Sequence, residues 1–166
     1  MRTPIVFLVI CIACSTAVAQ KSGPPDRTFS GRGAELLEAM DRAIAPYVAK
    51  ARATYPAAKK RFLAGLPPNH MFSVWIRLYQ NDKKSGESRK EDVFVAVRSI
   101  KNGRIDGRIN NKTDLVTNYH LGDRIDFPES QVKNWLILRP DGSEEGNYVG
   151  KFLDHWKPPG GVTRRR

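Results

Sequence analysis

The chain has 166 residues, 28 of them Lys or Arg and 17 Asp or Glu, for a formal net charge of +11. That length suits one domain with a single apolar core, and the basic excess favours anionic neighbours. Its two cysteines, Cys11 and Cys14, both lie in the first 14 residues, so the body of the chain has no thiol for a disulfide, a cysteine nucleophile or a zinc–thiolate site.

The N-terminus reads as a targeting segment. Arg2 supplies the charged start, Ile5–Ala13 the apolar run, and Ala17-Val18-Ala19 the small residues of a cleavage site. The run is shorter than the roughly 20 residues that span a bilayer. Residues 1–19 are therefore expected to be a signal peptide cut between Ala19 and Gln20, and the protein to be exported, periplasmic or secreted. Lipoprotein anchoring through Cys14 is the rival reading, and the lack of a leucine at Cys11 speaks against it. Loss of Arg2 would leave a mature charge one below the whole chain's +11. No later stretch is apolar enough to span a membrane. Outside the cytoplasm the expected partners are an anionic envelope polymer, a membrane surface or another protein, rather than nucleic acid.

Residues 20–32, rich in Gly, Pro, Ser and charge, read as a flexible lead to a single domain over 33–156. From Ala34 a helical period places Leu36, Met40, Ala43, Ile44, Tyr47 and Val48 on one face. Glu35 and Glu38 suit its first turn, and Pro46 predicts a kink or break. A second helix is expected from a Thr54 cap, with Pro56 early and Gly65 as its stop.

Strand signals follow. Phe72, Val74, Ile76 and Leu78 alternate with Ser73, Trp75, Arg77 and Tyr79. A polar loop over 81–90 leads to Val93, Val95 and Val97. For the next hairpin, a two-residue Asn102-Gly103 loop would pair Ile100 with Ile105 and set the valines beside Arg104, Asp106 and Arg108. A three-residue loop with a bulge pairs Ser99 with Ile105, Val97 with Gly107 and Val95 with Ile109, and sets Arg98 opposite Asp106. The second register keeps apolar with apolar and is preferred.

After a polar loop over 110–121 comes Gly122-Asp123-Arg124-Ile125-Asp126-Phe127-Pro128. It reads as a tight turn, a strand with Ile125 and Phe127 inward and Arg124 and Asp126 outward, and a proline stop. One helical turn then leads to Trp135 opening the strand 135–138. A turn at Pro140-Asp141-Gly142, a short strand near Asn147-Tyr148-Val149 and a helical turn over 152–156 complete the domain. Residues 157–166 form a basic tail.

Several of these pieces resemble the YegJ-like family, a bacterial domain of unknown function. They are Ala51–Pro56, Phe72-Ser73-Val74, Glu91, Gly107 with Asn110, Gly122–Ile125, Trp135 and Gly146-Asn147-Tyr148. Phe94 stands where the family usually has another aromatic, often tryptophan, and Asn134 where an acidic residue often precedes the tryptophan. The resemblance implies an α+β domain, often exported, and brings no established activity and no catalytic residues.

The fold expected is α+β: N-terminal helices packed on a strongly bent antiparallel sheet of five to six strands. His70, His120 and His155 show no metal-site spacing, and no metal or cofactor is expected. Asp123 could orient His120 as a base, though a carboxylate closing its own turn is the plainer reading. Glu91 and Asp123 are the acid–base candidates for a hydrolase. A facing pair among Glu91, Asp92, Asp126 and Glu129 would be needed for glycosidase chemistry. Trp75, Arg77 and Tyr79, on one strand face, and the basic Arg104 and Arg108 are the candidate binding residues. The preferred function is a non-enzymatic exported binding or interaction module of the cell envelope. A small hydrolase of an envelope polymer and an inhibitor or immunity-type protein are the alternatives.

Overall fold

The computed structural model describes residues 33–81 and 88–158. The expected signal peptide and lead, the Lys83-Lys84 part of the polar loop and all but the start of the basic tail lie outside the described residues. The architecture is α+β: a long helix α1 (Gly33–Ala64), six strands β1 (Met71–Asn81), β2 (Ser88–Lys101), β3 (Arg104–Ile109), β4 (Arg124–Pro128), β5 (Asn134–Leu138) and β6 (Glu144–Gly146), and a short helix α2 (Tyr148–Leu153). The strands form one antiparallel sheet in the order β4-β3-β2-β1-β5-β6.

The N-terminal region is one helix, not two. Pro46 and Pro56 lie inside α1, and each leaves the carbonyl four residues earlier without its helical donor. Those carbonyls belong to Arg42 and Arg52, which are exposed like the prolines themselves, so solvent can serve the carbonyls and the helix runs on. Thr54 does not start a helix either. Its hydroxyl bonds back to the Lys50 carbonyl at 3.0 Å and the Ala51 carbonyl at 3.1 Å. The stop at Gly65 is as expected, with a φ of 95° and a bond from its N–H to the Phe62 carbonyl.

Alternation along β1 divides the apolar residues between two sheet faces. Phe72, Val74, Ile76 and Leu78 join Val93, Val95, Ile105, Ile109, Phe127, Trp135 and Ile137 in the larger cluster, with Ala51, Tyr55 and Ala58 from the second half of α1. Trp75, Phe94 and Leu136, on the opposite face, meet Met40 and Ile44 from the first half of α1 and Val149 and Leu153 of α2. Trp135 ties the helix to the sheet, its indole N–H lying 3.1 Å from the Ala51 carbonyl and 3.0 Å from the Thr54 hydroxyl.

The β2–β3 hairpin combines features of both expected registers. Asn102 and Gly103 form a two-residue loop with φ of 50° and 71°, the geometry that suits a twisted hairpin. Ile100 pairs with Ile105 across it. The bulge lies at Arg98 rather than in the loop, and beyond it Val97 pairs with Gly107 and Val95 with Ile109. One extra residue on β2 thus restores apolar-to-apolar pairing. Gly107 permits the close approach there, because a Cβ on it would lie 2.5 Å from the Ala96 carbonyl oxygen and from the Val95 side chain.

From β4 the chain makes a single 3-10 turn over Glu129–Gln131 and enters β5 at Asn134, on the far side of β3, β2 and β1. Four interstrand steps would be about 19 Å in a flat sheet. Six residues that include a 3-10 turn reach roughly 16 Å, so the sheet must curl to let this link close. At the C-terminal end the last strand is Glu144–Gly146 and not 147–149. Asn147, in the left-handed region with a φ of 49°, caps α2 by accepting from the Gly150 N–H. That cap turns Tyr148 and Val149 from the expected strand into helix. Among the described residues no helix is long and apolar enough to cross a membrane.

Candidate functional site

β3 and β4 bury one face and expose the other. Ile105, Ile109, Ile125 and Phe127 point to the core, so the residues between them point away from it. Bonds from the Ile109 N–H to the Asp123 carbonyl and from the Glu129 N–H to the Gly103 carbonyl put the ladder's hydrogen bonds at odd positions. The outward pairs Arg104–Pro128, Asp106–Asp126 and Arg108–Arg124 are then the non-hydrogen-bonded ones, whose side chains stand closest. Pro128, at the outermost strand, takes a position that asks for no ladder donor.

Like charges therefore stand directly across from each other, an arrangement that is unfavourable by itself. Diagonal contacts relieve part of it. The Arg124 Nε donates to Asp106 Oδ1 at 2.6 Å, and Arg104 pairs with Asp126. The bond from Arg124, with the charges of Arg124, Arg98 and Arg108, holds the Asp106 carboxyl below the usual carboxylate range despite its partial desolvation. The bond to Asp106 in turn raises the Arg124 guanidinium. Arg108 donates to a backbone carbonyl, that of Gly122, at 2.7 Å. Arg98, pushed out by the bulge, is exposed, and Lys101 stands opposite Arg104. Arg98, Lys101, Arg104, Arg108 and Arg124 thus share this face with Asp106 and Asp126, leaving a local cationic surplus.

By register Trp75, Arg77 and Tyr79 lie on the same side of the sheet, with Trp75 opposite Phe94 and Ala96 opposite Arg108, but they do not join the exposed cationic patch. Trp75 is buried beneath α1 and α2. Arg77 is 11 % exposed and fully engaged: Nη1 and Nη2 reach Asp41 of α1 at 2.6 and 2.7 Å, and Nε and Nη2 reach Asp92 of β2 at 2.8 and 2.6 Å. Lys133 completes the group, 3.2 Å from Asp92 and 5.0 Å from the Trp75 ring centroid. Burial opposes the charge of both Asp41 and Arg77. Their bonds outweigh it, so Asp41 lies below its ordinary value and Arg77 above its own. At Lys133 burial prevails, with repulsion from Arg77, over the two aspartates, and its ammonium is lowered. This group pins the first half of α1 to the sheet. Beside it Trp75, Asp92, Phe94, Asn111, Val149, Gly150 and Leu153 line a depression of about 10 Å³, room for roughly one water molecule. Tyr79, 62 % exposed, stands near the far end of β1, paired with Lys90.

The acid–base candidates hold loops. Glu91 is buried, and its carboxylate accepts from the backbone N–H groups of Asp114 and Leu115 at 2.9 Å and Val116 at 3.0 Å. It fastens the 110–121 loop to β2. Asp123 Oδ2 accepts the His120 N–H at 2.8 Å while the Asp123 N–H reaches the His120 carbonyl at 3.1 Å. The His120 ring, 3.4 Å away, is largely exposed. This is the turn-closing arrangement. Glu129 pairs with Lys59 at 2.6 Å, and Glu91 and Asp92, adjacent on one strand, face opposite sides. The four carboxylates considered for a glycosidase pair do not converge.

Arg104 and Arg108 are candidates from the sequence, whereas Arg124 and Arg98 become their companions only in the fold. The outward reading of Arg124 and Asp126 contained the signal, and pairing that strand with 104–109 would have assembled the face.

A family model described as an uncharacterized protein conserved in bacteria (DUF2314) matches residues 35–155, from the first turn of α1 to just past α2. The chain belongs to this family. No curated protein and no solved structure matches it. The family match covers the outward arginines, the Arg77 group and the Glu91 loop anchor alike.

Proposed function

We propose that the protein is a non-enzymatic, exported interaction module that docks on an anionic component of the cell envelope through the outer face of β3 and β4. The observation that carries this reading is the face itself: Arg98, Lys101, Arg104, Arg108 and Arg124 against Asp106 and Asp126, presented on the paired strands β2, β3 and β4. Exposed cations on a fixed scaffold attract anionic surfaces over about a Debye length and lose that attraction in salt. The engagement of Glu91 by three backbone donors and of Asp123 by its own turn weighs against the hydrolase alternative. The targeting character of residues 1–19 supports export, and the YegJ-like resemblance belongs to the same reading. Sedimentation with bacterial envelope fractions is the test. Binding at low ionic strength that is released at high ionic strength is expected, and failure to bind at low ionic strength would remove the reading.

A further inference from the structure

We infer that the anionic partner is a phospholipid surface, with the arginines of β3 and β4 on phosphodiester headgroups and Leu121 inserted beneath them. The inference rests on the docking face proposed above and names what that face meets. Its independent support is Leu121. This leucine is 62 % exposed, one of three large hydrophobic side chains so exposed among the described residues. It immediately precedes Gly122, whose carbonyl accepts from Arg108 at 2.7 Å, and Arg124 follows three residues later. An exposed apolar side chain at the rim of a cationic face is what an interfacial site requires, with cations at headgroup level and the apolar group reaching the acyl boundary. A soluble polyanion would use the arginines and leave the leucine in water.

The placement is held rather than incidental. Gly122 has a φ of 90°, the Asp123 carboxylate closes the turn on the His120 N–H, and the Gly122 N–H bonds to the Ile109 carbonyl at 2.8 Å. Leu121 is thereby fixed at the end of β3 beside the Arg108–Arg124 pair. That pair has one aspartate contact between its two guanidiniums, and a phosphodiester would supply the missing negative charge by bidentate hydrogen bonding.

The processed chain from Gln20, which lacks the apolar run of residues 5–13 and keeps every described element, is tested by flotation with vesicles of phosphatidylglycerol and phosphatidylcholine, with vesicles of phosphatidylcholine alone, and with soluble polyphosphate. L121S, R108Q and R124Q are compared with the parent. Binding is expected to the anionic vesicles and not to the neutral ones, with each arginine substitution weakening it about fivefold. L121S should weaken vesicle binding by roughly the same factor and leave polyphosphate binding unchanged. Hydrogen exchange over 104–108 and 121–126 should slow on addition of anionic vesicles, a local readout that residues 1–32 do not enter. Parent-like vesicle binding by L121S would overturn the inference. So would polyphosphate binding without vesicle binding, and in that case the broader reading of an anionic envelope partner would stand.

Discussion

Arg77→Met tests the charged group that pins α1 to the sheet. The substitution keeps the aliphatic stem that packs at the site and removes four donor contacts to Asp41 and Asp92. Among the described residues, Asp92, 8 % exposed, would be left with Lys133 at 3.2 Å. Breaking a buried ion pair from one side costs about 3–5 kcal/mol. Asp41 is 35 % exposed and can turn to water, so the lower end of that range, about 3 kcal/mol, is expected after allowing for screening. For a body of this size that is a fall in Tm of about 10 °C, read by calorimetry at neutral pH. The sign of the pH dependence follows from Asp41. Its folded value lies below its ordinary 3.8, so its contribution is complete above that pH and is lost as pH falls through the depressed folded value. The gap between parent and variant should therefore be full at neutral pH and shrink in acid. A variant within about 1 kcal/mol of the parent at pH 7 would refute the reasoning, because Arg77 would then be dispensable to the two aspartates it bridges.

Three further outcomes follow from the same packing. Glu91→Ala strands the N–H groups of residues 114–116 and should cost about 2–4 kcal/mol, with hydrogen exchange accelerated over 110–121; unchanged protection there would contradict the loop-anchor role. Gly107→Ala places a Cβ 2.5 Å from the Ala96 carbonyl oxygen, and overpacking of about 1–3 kcal/mol should appear in chemical denaturation. Pro46→Ala restores an N–H for the Arg42 carbonyl on an exposed helical turn and should raise stability by about 1–3 kcal/mol, whereas a loss would mean that the proline fixes a bend the fold needs.

What was legible in the sequence was local periodicity. The alternation in 72–78 and 93–97 gave both strands and their core faces, and Pro128 gave the end of β4. The long-range consequences were harder to read. Pro46 suggests a break because sequence does not show that Arg42, whose carbonyl it strands, is exposed. Asn102-Gly103 points to a tight turn, but nothing local shows that the bulge at Arg98, and not the loop, absorbs the mismatch. Arg77 looked like a binding residue because its alternation predicts a face and not what covers it. Asp41, 36 residues earlier, and Lys133, 56 later, reach it only through the fold. Glu91 resembled an acid catalyst for the same reason, since its three partners are backbone groups and leave no side-chain signature. Arg124 and Arg108 could have been joined from sequence, but only by pairing β3 with β4 across a loop of 14 residues.

On the proposed function, a particular face, and not the overall positive charge, makes the protein bind. Two variants of equal charge separate these. R98Q/R108Q removes two cations from the β2–β4 face, where Arg98 is exposed and Arg108 rests on a backbone carbonyl. R42Q/K60Q removes two exposed cations from α1. Affinity for envelope fractions, measured at several ionic strengths, should fall at least tenfold in the first, at about 1 kcal/mol per cation, with a shallower salt dependence, and stay near the parent's in the second. Equal losses in the two variants would mean that net charge alone holds the protein to its partner, and the assignment of a docking face would be wrong.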